Sequence, residues 1–138
     1  MMKNEIWWWS LIPLLFVALF LLNLYVFSGE HKGKALYTRY CASCHGDQGE
    51  GLRQLIPPLN ASDFVQKHPG RIACIIRYGM QGEVVVNGKT FNQPMPANPQ
   101  LSEVEIANIV NYVLTAWDND LPDRSPAQIK KDLQQCKE

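Results

Sequence analysis

The chain has 138 residues, 46% of them hydrophobic, and its 13 Lys and Arg balance 13 Asp and Glu for a formal net charge of +0. That balance excludes a nucleic-acid binder working through a basic stripe, and a partner steered by a strong global field. Beyond an apolar first segment the length leaves about 110 residues, enough for one small domain with a modest core of its own.

The first element is the run from Ile6 to Phe27, interrupted only by Ser10, Pro13 and Asn23. At about 22 residues it is long enough for a helix across a hydrocarbon core of ~30 Å. Trp7, Trp8 and Trp9 stand at one end, where indoles favour the membrane interface. A cleaved secretory signal is the rival reading, since Val26-Phe27-Ser28 loosely resembles a cleavage site. The run exceeds the usual signal core, however, and Lys3 is offset by Glu5, so an uncleaved single-pass anchor over residues 1–29 is expected. No cysteine follows the run before Cys41, which argues against a lipoprotein signal.

A domain over residues 30–117 follows. Glu30 to Ala42 is predicted to be helical, with Gly33, Tyr37, Tyr40, Cys41 and Cys44 on one face. Cys41-Ala42-Ser43-Cys44-His45 then forms C-x-x-C-H, the pattern of covalent c-type haem attachment. Its two thiols add across the two haem vinyl groups, and the adjacent imidazole binds the iron from below. A zinc site would need a second ligand pair at similar spacing, and a redox dithiol would need a βαβ context; neither is present. Gly46 to Gly51 lacks the flanking features of a phosphate loop and reads as a turn beneath the haem.

Ile56-Pro57-Pro58-Leu59 cannot be ordinary helix. Asn60-Ala61-Ser62 fits a glycosylation sequon, but Ser62 is better read as the cap of a short helix to Lys67. Pro69 suits the first turn of another helix, running to Tyr78 and stopped by Gly79. Val84 to Phe91 carries a hairpin signal, with Asn87-Gly88 at its turn. Leu101 to Trp117 is the last clear helix. Ser102 and Glu105 form its capping box, Leu101 and Ile106 its hydrophobic staple, and Ile106, Ile109, Val110, Val113, Leu114 and Trp117 its apolar face. In the polar tail, 118–138, one more short helix is expected from Gln128 to Cys136.

A haem held by His45 has one iron position left to fill. Met95 is the best donor, because Pro94 and Pro96 stiffen the backbone on both sides of it. Met80 competes, but Gly79 and Gly82 give it a flexible setting. His68 and His31 are weaker candidates still. Haem uses two of the four cysteines, and the exported side of a membrane disfavours free thiols, so a Cys74–Cys136 disulfide is expected to pin the tail.

Together these residues resemble the class I cytochrome c family over most of Gly33 to Trp117. The resemblance rests on Gly33 and Tyr37 ahead of the motif, the motif itself, the following proline, the late methionine and Tyr112. With the N-terminal transmembrane helix and the short β-hairpin before Met95 read above, the resemblance gives a mainly α fold, with helices around one covalent haem c and Met95 as the axial ligand. It implies that Gly33 and Tyr37 cross Ile109 and Tyr112, and that the carbonyl of Pro57, or alternatively Pro58, accepts a hydrogen bond from His45. Leu59 and Tyr112 join the cofactor-binding residues in the same way. The hairpin is similar to a variant found in bacterial respiratory cytochromes.

The implied function is a membrane-anchored one-electron carrier, free or as a fixed subunit, without catalytic residues of its own. It would work between a quinol-oxidising complex and a terminal oxidase or another reductase. Lys32 and Lys34 outweigh Lys3 and argue weakly against an exported domain; haem attachment on the exported side overrides them and implies a periplasmic domain on a bacterial cytoplasmic membrane. Two other readings are a gas sensor or peroxidase-like enzyme with a displaceable methionine, and a redox-assembly factor using free Cys41 and Cys44.

Overall fold

The computed structural model describes residues 6–136, with side chains at 11–23 and 32–136. The first helix, α1, runs unbroken from Ile6 to Tyr40 with Pro13 inside it. The expected helix from Glu30 is therefore the last part of a longer one. Ser28-Gly29 brings no proline, and a single glycine costs a helix only about 1 kcal/mol. Every residue from 11 to 23 is exposed, Leu14 at 65% and Phe16 at 68%. Among the described residues no helix is long and apolar enough to cross a membrane. The span expected over Ile6–Phe27 is thus not shown, and its side chains before residue 11 and after residue 23 lie outside the described residues.

After the break at Cys41 come α2 (Ala42–His45), α3 (Asp63–Lys67) and α4 (Arg71–Tyr78). Strands β1 (Val84–Val86) and β2 (Lys89–Phe91) follow, then α5 (Glu103–Thr115) and α6 (Pro126–Gln134). The hairpin is antiparallel, with Val84 opposite Phe91 and Val86 opposite Lys89, and Asn87 and Gly88 take positive φ at its turn. Val86 and Phe91 are buried while Val85 faces out. The turn is tied down by Asn87: its amide donates to Asp63 Oδ1 at 2.7 Å and its Nδ2 donates to the Ala61 carbonyl at 3.1 Å.

The core is built around α5, whose Ile106, Ile109, Val110, Val113 and Leu114 are buried. On one side it crosses α1 at Gly33. A Cβ there would lie 2.5 Å from the Asn108 carbonyl oxygen and 2.8 Å from Tyr112 Cβ, so only glycine lets the helices approach this closely. On the other side α5 meets Ile72, Ala73 and Ile76 of α4 and Ile129 of α6. The Ser102–Glu105 capping box starts α5. Trp117 does not extend its apolar face: the helix ends at Thr115, and Trp117 takes φ 56°. Its ring turns back against Tyr37 at 5.3 Å and Tyr112 at 5.4 Å.

Two helix starts differ from expectation. Pro69 precedes α4 rather than opening it, because a turn from the Arg71 amide to the His68 carbonyl, 3.0 Å, comes first. Helix α6 begins at Pro126, earlier than Gln128, because Ser125 and Gln128 form a second capping box. Cys74 on α4 is joined to Cys136 just beyond α6, with Cα atoms 5.4 Å apart. Beside this bridge Arg124 grips Asp132 with two hydrogen bonds of 2.8 Å.

Candidate haem site

The end of α1 carries the C-x-x-C-H residues straight into a tight turn. The amides of Cys44 and His45 both bond to the Cys41 carbonyl, at 3.1 and 2.9 Å. This brings Cys41, Cys44 and His45 to the rim of an apolar cleft. Cys41, His45 and Met95 line one part of it, and Cys44 lines an overlapping part that shares His45 and Met95. The walls are hydrocarbon drawn from α3, α4, β1, α5 and the loop before α3: Leu59, Phe64 and Val65, then Ile72, Ile75 and Ile76, then Val84, Val86, Ile109 and Val113.

His45 is buried, 8% exposed. Its Nδ1 donates to the Pro57 carbonyl at 3.2 Å, which leaves Nε2 as the nitrogen able to bind a metal. Burial lowers the imidazole's pKa and the Pro57 bond opposes that shift, so the ring is held in its neutral, metal-binding form. Pro57 rather than Pro58 is the acceptor. The loop that delivers it is folded on glycine: the Gly49 carbonyl takes the amides of Leu59 at 2.7 Å and Asn60 at 2.9 Å.

The Cys41 thiol is pushed up to about 11, first by burial and then by Cys44 beside it. A redox dithiol works through a stabilised thiolate, which the burial of Cys41 does not favour. Nor, among the described residues, do three or more His, Cys, Asp or Glu cluster to hold a metal ion, as zinc would require. Two thiols on one helical turn, a neutral imidazole with one nitrogen free, a thioether and apolar walls are the donor set and shape that fit a c-type haem.

Tyr112 does not line either part of the cleft. It stands behind it in the α1–α5 crossing, its ring 5.3 Å from Tyr37. Tyr37 donates its hydroxyl to the Gly46 carbonyl at 2.7 Å, and burial above all raises its pKa, so it stays a donor and ties α1 to the motif turn.

Several residues here escape sequence reasoning. Asn119 is buried and bonds the Leu59 and Val113 carbonyls at 2.8 and 2.7 Å and the Ser62 amide at 3.3 Å, clamping the cleft's Leu59–Ser62 edge to α5. Nothing local marks it in the polar stretch after Trp117. Val84 and Val86 line the cleft because hairpin alternation turns them the same way, a signal present in the sequence but without a stated direction. Met80 also lines both parts of the cleft, despite its flanking glycines.

Residues 29–113 match the family described as cytochrome C oxidase, cbb3-type, subunit III. The chain is 35% identical over 89 residues to cytochrome c-552 of Thermus thermophilus, covering 62% of this chain and 67% of that protein. It is 30% identical over 95 residues to the cytochrome c subunit of the quinone alcohol dehydrogenase of Gluconacetobacter polyoxogenes, covering 65% of this chain and 19% of that one. To the cbb3-type cytochrome c oxidase subunit CcoP of Rhodobacter capsulatus it is 32% identical over 84 residues, 59% of this chain and 27% of that subunit. The chain therefore belongs to the cytochrome c family of the cbb3-type subunit III description, electron-transfer domains that hold haem c covalently.

Proposed function

We propose that this chain is a membrane-anchored one-electron carrier whose haem is tethered through Cys41 and Cys44 and ligated by His45 and Met95. The observation that carries the reading is that His45 and Met95 line the same apolar cleft. Bound there, haem c supplies a single-electron ferric/ferrous couple. The rest is the work of the chain. Pro57 holds the proton on His45 Nδ1 and so sets the ring's orientation. Met95 would hold the iron position that a substrate or dioxygen would need, and its thioether would favour the ferrous state. The hydrocarbon walls exclude water and push the same way.

The anchoring rests on residues 11–23, apolar except for Pro13 and Asn23 and exposed around the whole helix. A protein partner would cover one stripe of such a helix, whereas lipid covers all of it. The haem domain then lies on the periplasmic side of a bacterial cytoplasmic membrane, and the anchor raises its effective concentration near membrane partners. We assign a quinol-oxidising complex as donor and a terminal oxidase or another reductase as acceptor. The similarity to subunits named for a quinone alcohol dehydrogenase and a cbb3-type oxidase supports partners of that class.

The test is spectral and topological. The purified protein should keep its haem on a denaturing gel and show the weak near-infrared band of thioether-bound ferric iron. Met80→Leu should leave that band unchanged; its loss would remove Met95 as the ligand. Protease added to intact spheroplasts should release the haem domain, and full protection would refute the topology.

A further inference from the structure

Met80 and Met95 are joined. Each donates its amide to the other's carbonyl, at 3.0 and 2.9 Å, as an isolated antiparallel bridge. Residues opposed in such a pair project their side chains to the same face, with Cβ atoms about 4.5–5.5 Å apart. Both methionines accordingly line both parts of the cleft, along with His45. Both residues are half-buried.

The glycine before Met80 is not slack. Gly79 takes φ +76°, and a Cβ there would meet the Met95 carbonyl oxygen at 2.5 Å and the Ala97 amide nitrogen at 2.9 Å. It is the residue that lets the two segments approach. Freedom lies only on the far side, at Gly82, where a Cβ would meet nothing within 4 Å. Met80 is therefore held at its backbone while its unbranched side chain stays able to swing. Apart from the thiols and imidazole of the haem motif, the sulfurs of Met80 and Met95 are the only soft donors among the described lining residues.

We propose that Met80 is a second thioether donor for the haem iron, held in reserve beside Met95 and taking its coordination position when Met95 withdraws. The step is a ligand exchange: the Met95 sulfur–iron bond breaks, the Met80 sulfur–iron bond forms, and no electron or proton is transferred. This rests on the His45–Met95 ligation proposed above. Its consequence is a sixth position that stays closed to small ligands when either methionine alone is lost.

The experiment uses the full-length haem protein in mild detergent, as wild type, Met80→Leu, Met95→Ala and the double variant. Met95→Leu is made as well, in case alanine leaves the cleft too open to fold. The readouts are the near-infrared band of the ferric form and carbon monoxide binding to the ferrous form. Met95→Ala should remain six-coordinate with a shifted thioether band, and the double variant should lose that band. Carbon monoxide should bind the double variant at least about tenfold more tightly than Met95→Ala, the factor expected if Met80 closes nine-tenths of the molecules. A five-coordinate Met95→Ala that binds carbon monoxide as the double variant does would overturn the reserve role and leave Met95 as the ligand. A double variant that keeps a thioether band would overturn the reserve role as well. Loss of the band in Met80→Leu alone would instead overturn the His45–Met95 ligation itself.

Discussion

The chain carries two cysteine pairs that solve opposite problems. Cys41 and Cys44 sit on one helical turn, unbonded, at the rim of the cleft. Cys74 and Cys136 are 62 residues apart, bonded, on the opposite flank of α5. The first pair is placed by local geometry alone, since three residues along a helix bring two side chains to one face. The second pair depends on the whole domain, because α4 and α6 must pack before the sulfurs can meet. The flanks of α5 differ accordingly. Toward α1 contact is made by a glycine and three rings packed at steep angles without a crosslink, and on the other flank a disulfide ties α4 to the end of α6 with an ion pair beside it.

The largest effect should come from breaking the first pair. Cys41→Ser with Cys44→Ser should abolish covalent haem entirely, read as loss of haem stain on a denaturing gel. Stain retained in the double variant would mean that these thiols are not the attachment points. Cys136→Ser should act on stability and leave the absorption spectrum unchanged. Opening a loop of this length should cost about 2–4 kcal/mol in denaturant unfolding. A spectral change in that variant would mean that the two flanks of α5 are coupled rather than separate.

Gly33→Ala probes the uncrosslinked flank. The added methyl meets backbone at Asn108 as well as Tyr112, so the helices must separate. Overpacking of this kind costs roughly 1–3 kcal/mol. The loss should be larger in a Cys136→Ser background only if the flanks communicate through α5; simple additivity is expected, and unfolding of the four-chain cycle measures it.

How far the sequence can be read follows the same division. The haem motif and the Ser102–Glu105 cap are short-range patterns with a definite chemistry, each legible at its own residues, whereas Pro57 comes only with the family resemblance, which leaves Pro58 open beside it. What sequence does not show is approach. Gly79 reads as slack beside Met80, yet it is the close-contact residue of the Met80–Met95 bridge. Tyr112, taken over from the family resemblance, packs behind the cleft rather than in it. Trp117 continues the apolar period of α5 along the sequence, but the chain leaves the helix before reaching it. For Cys74 and Cys136 the sequence offers only an argument from number and compartment; Arg124 and Asp132, which hold that corner, carry no local signal.

The smallest effect separates the flanks by charge. Helices α5 and α6 begin with the same box, but the partner of Ser102 is Glu105 and the partner of Ser125 is the neutral Gln128. Hydrogen bonds from the Ser102 amide and then its hydroxyl hold the Glu105 carboxyl below its ordinary value of 4.5. A carboxyl depressed in the folded state stabilises above its ordinary range and stops doing so as pH falls through the folded value. Acid should therefore loosen the first turn of α5 and spare that of α6. In an NMR titration the Glu105 carboxyl should show a midpoint below the ordinary glutamate range. The first-turn amides of α5 should move with it, while those after Ser125 stay still. In Glu105→Gln the movement should vanish, because glutamine keeps the bond to the Ser102 amide and does not titrate. If both helix starts shift together in the wild type, or if Glu105→Gln still titrates, the two caps are not independent and the acid response belongs to the domain as a whole.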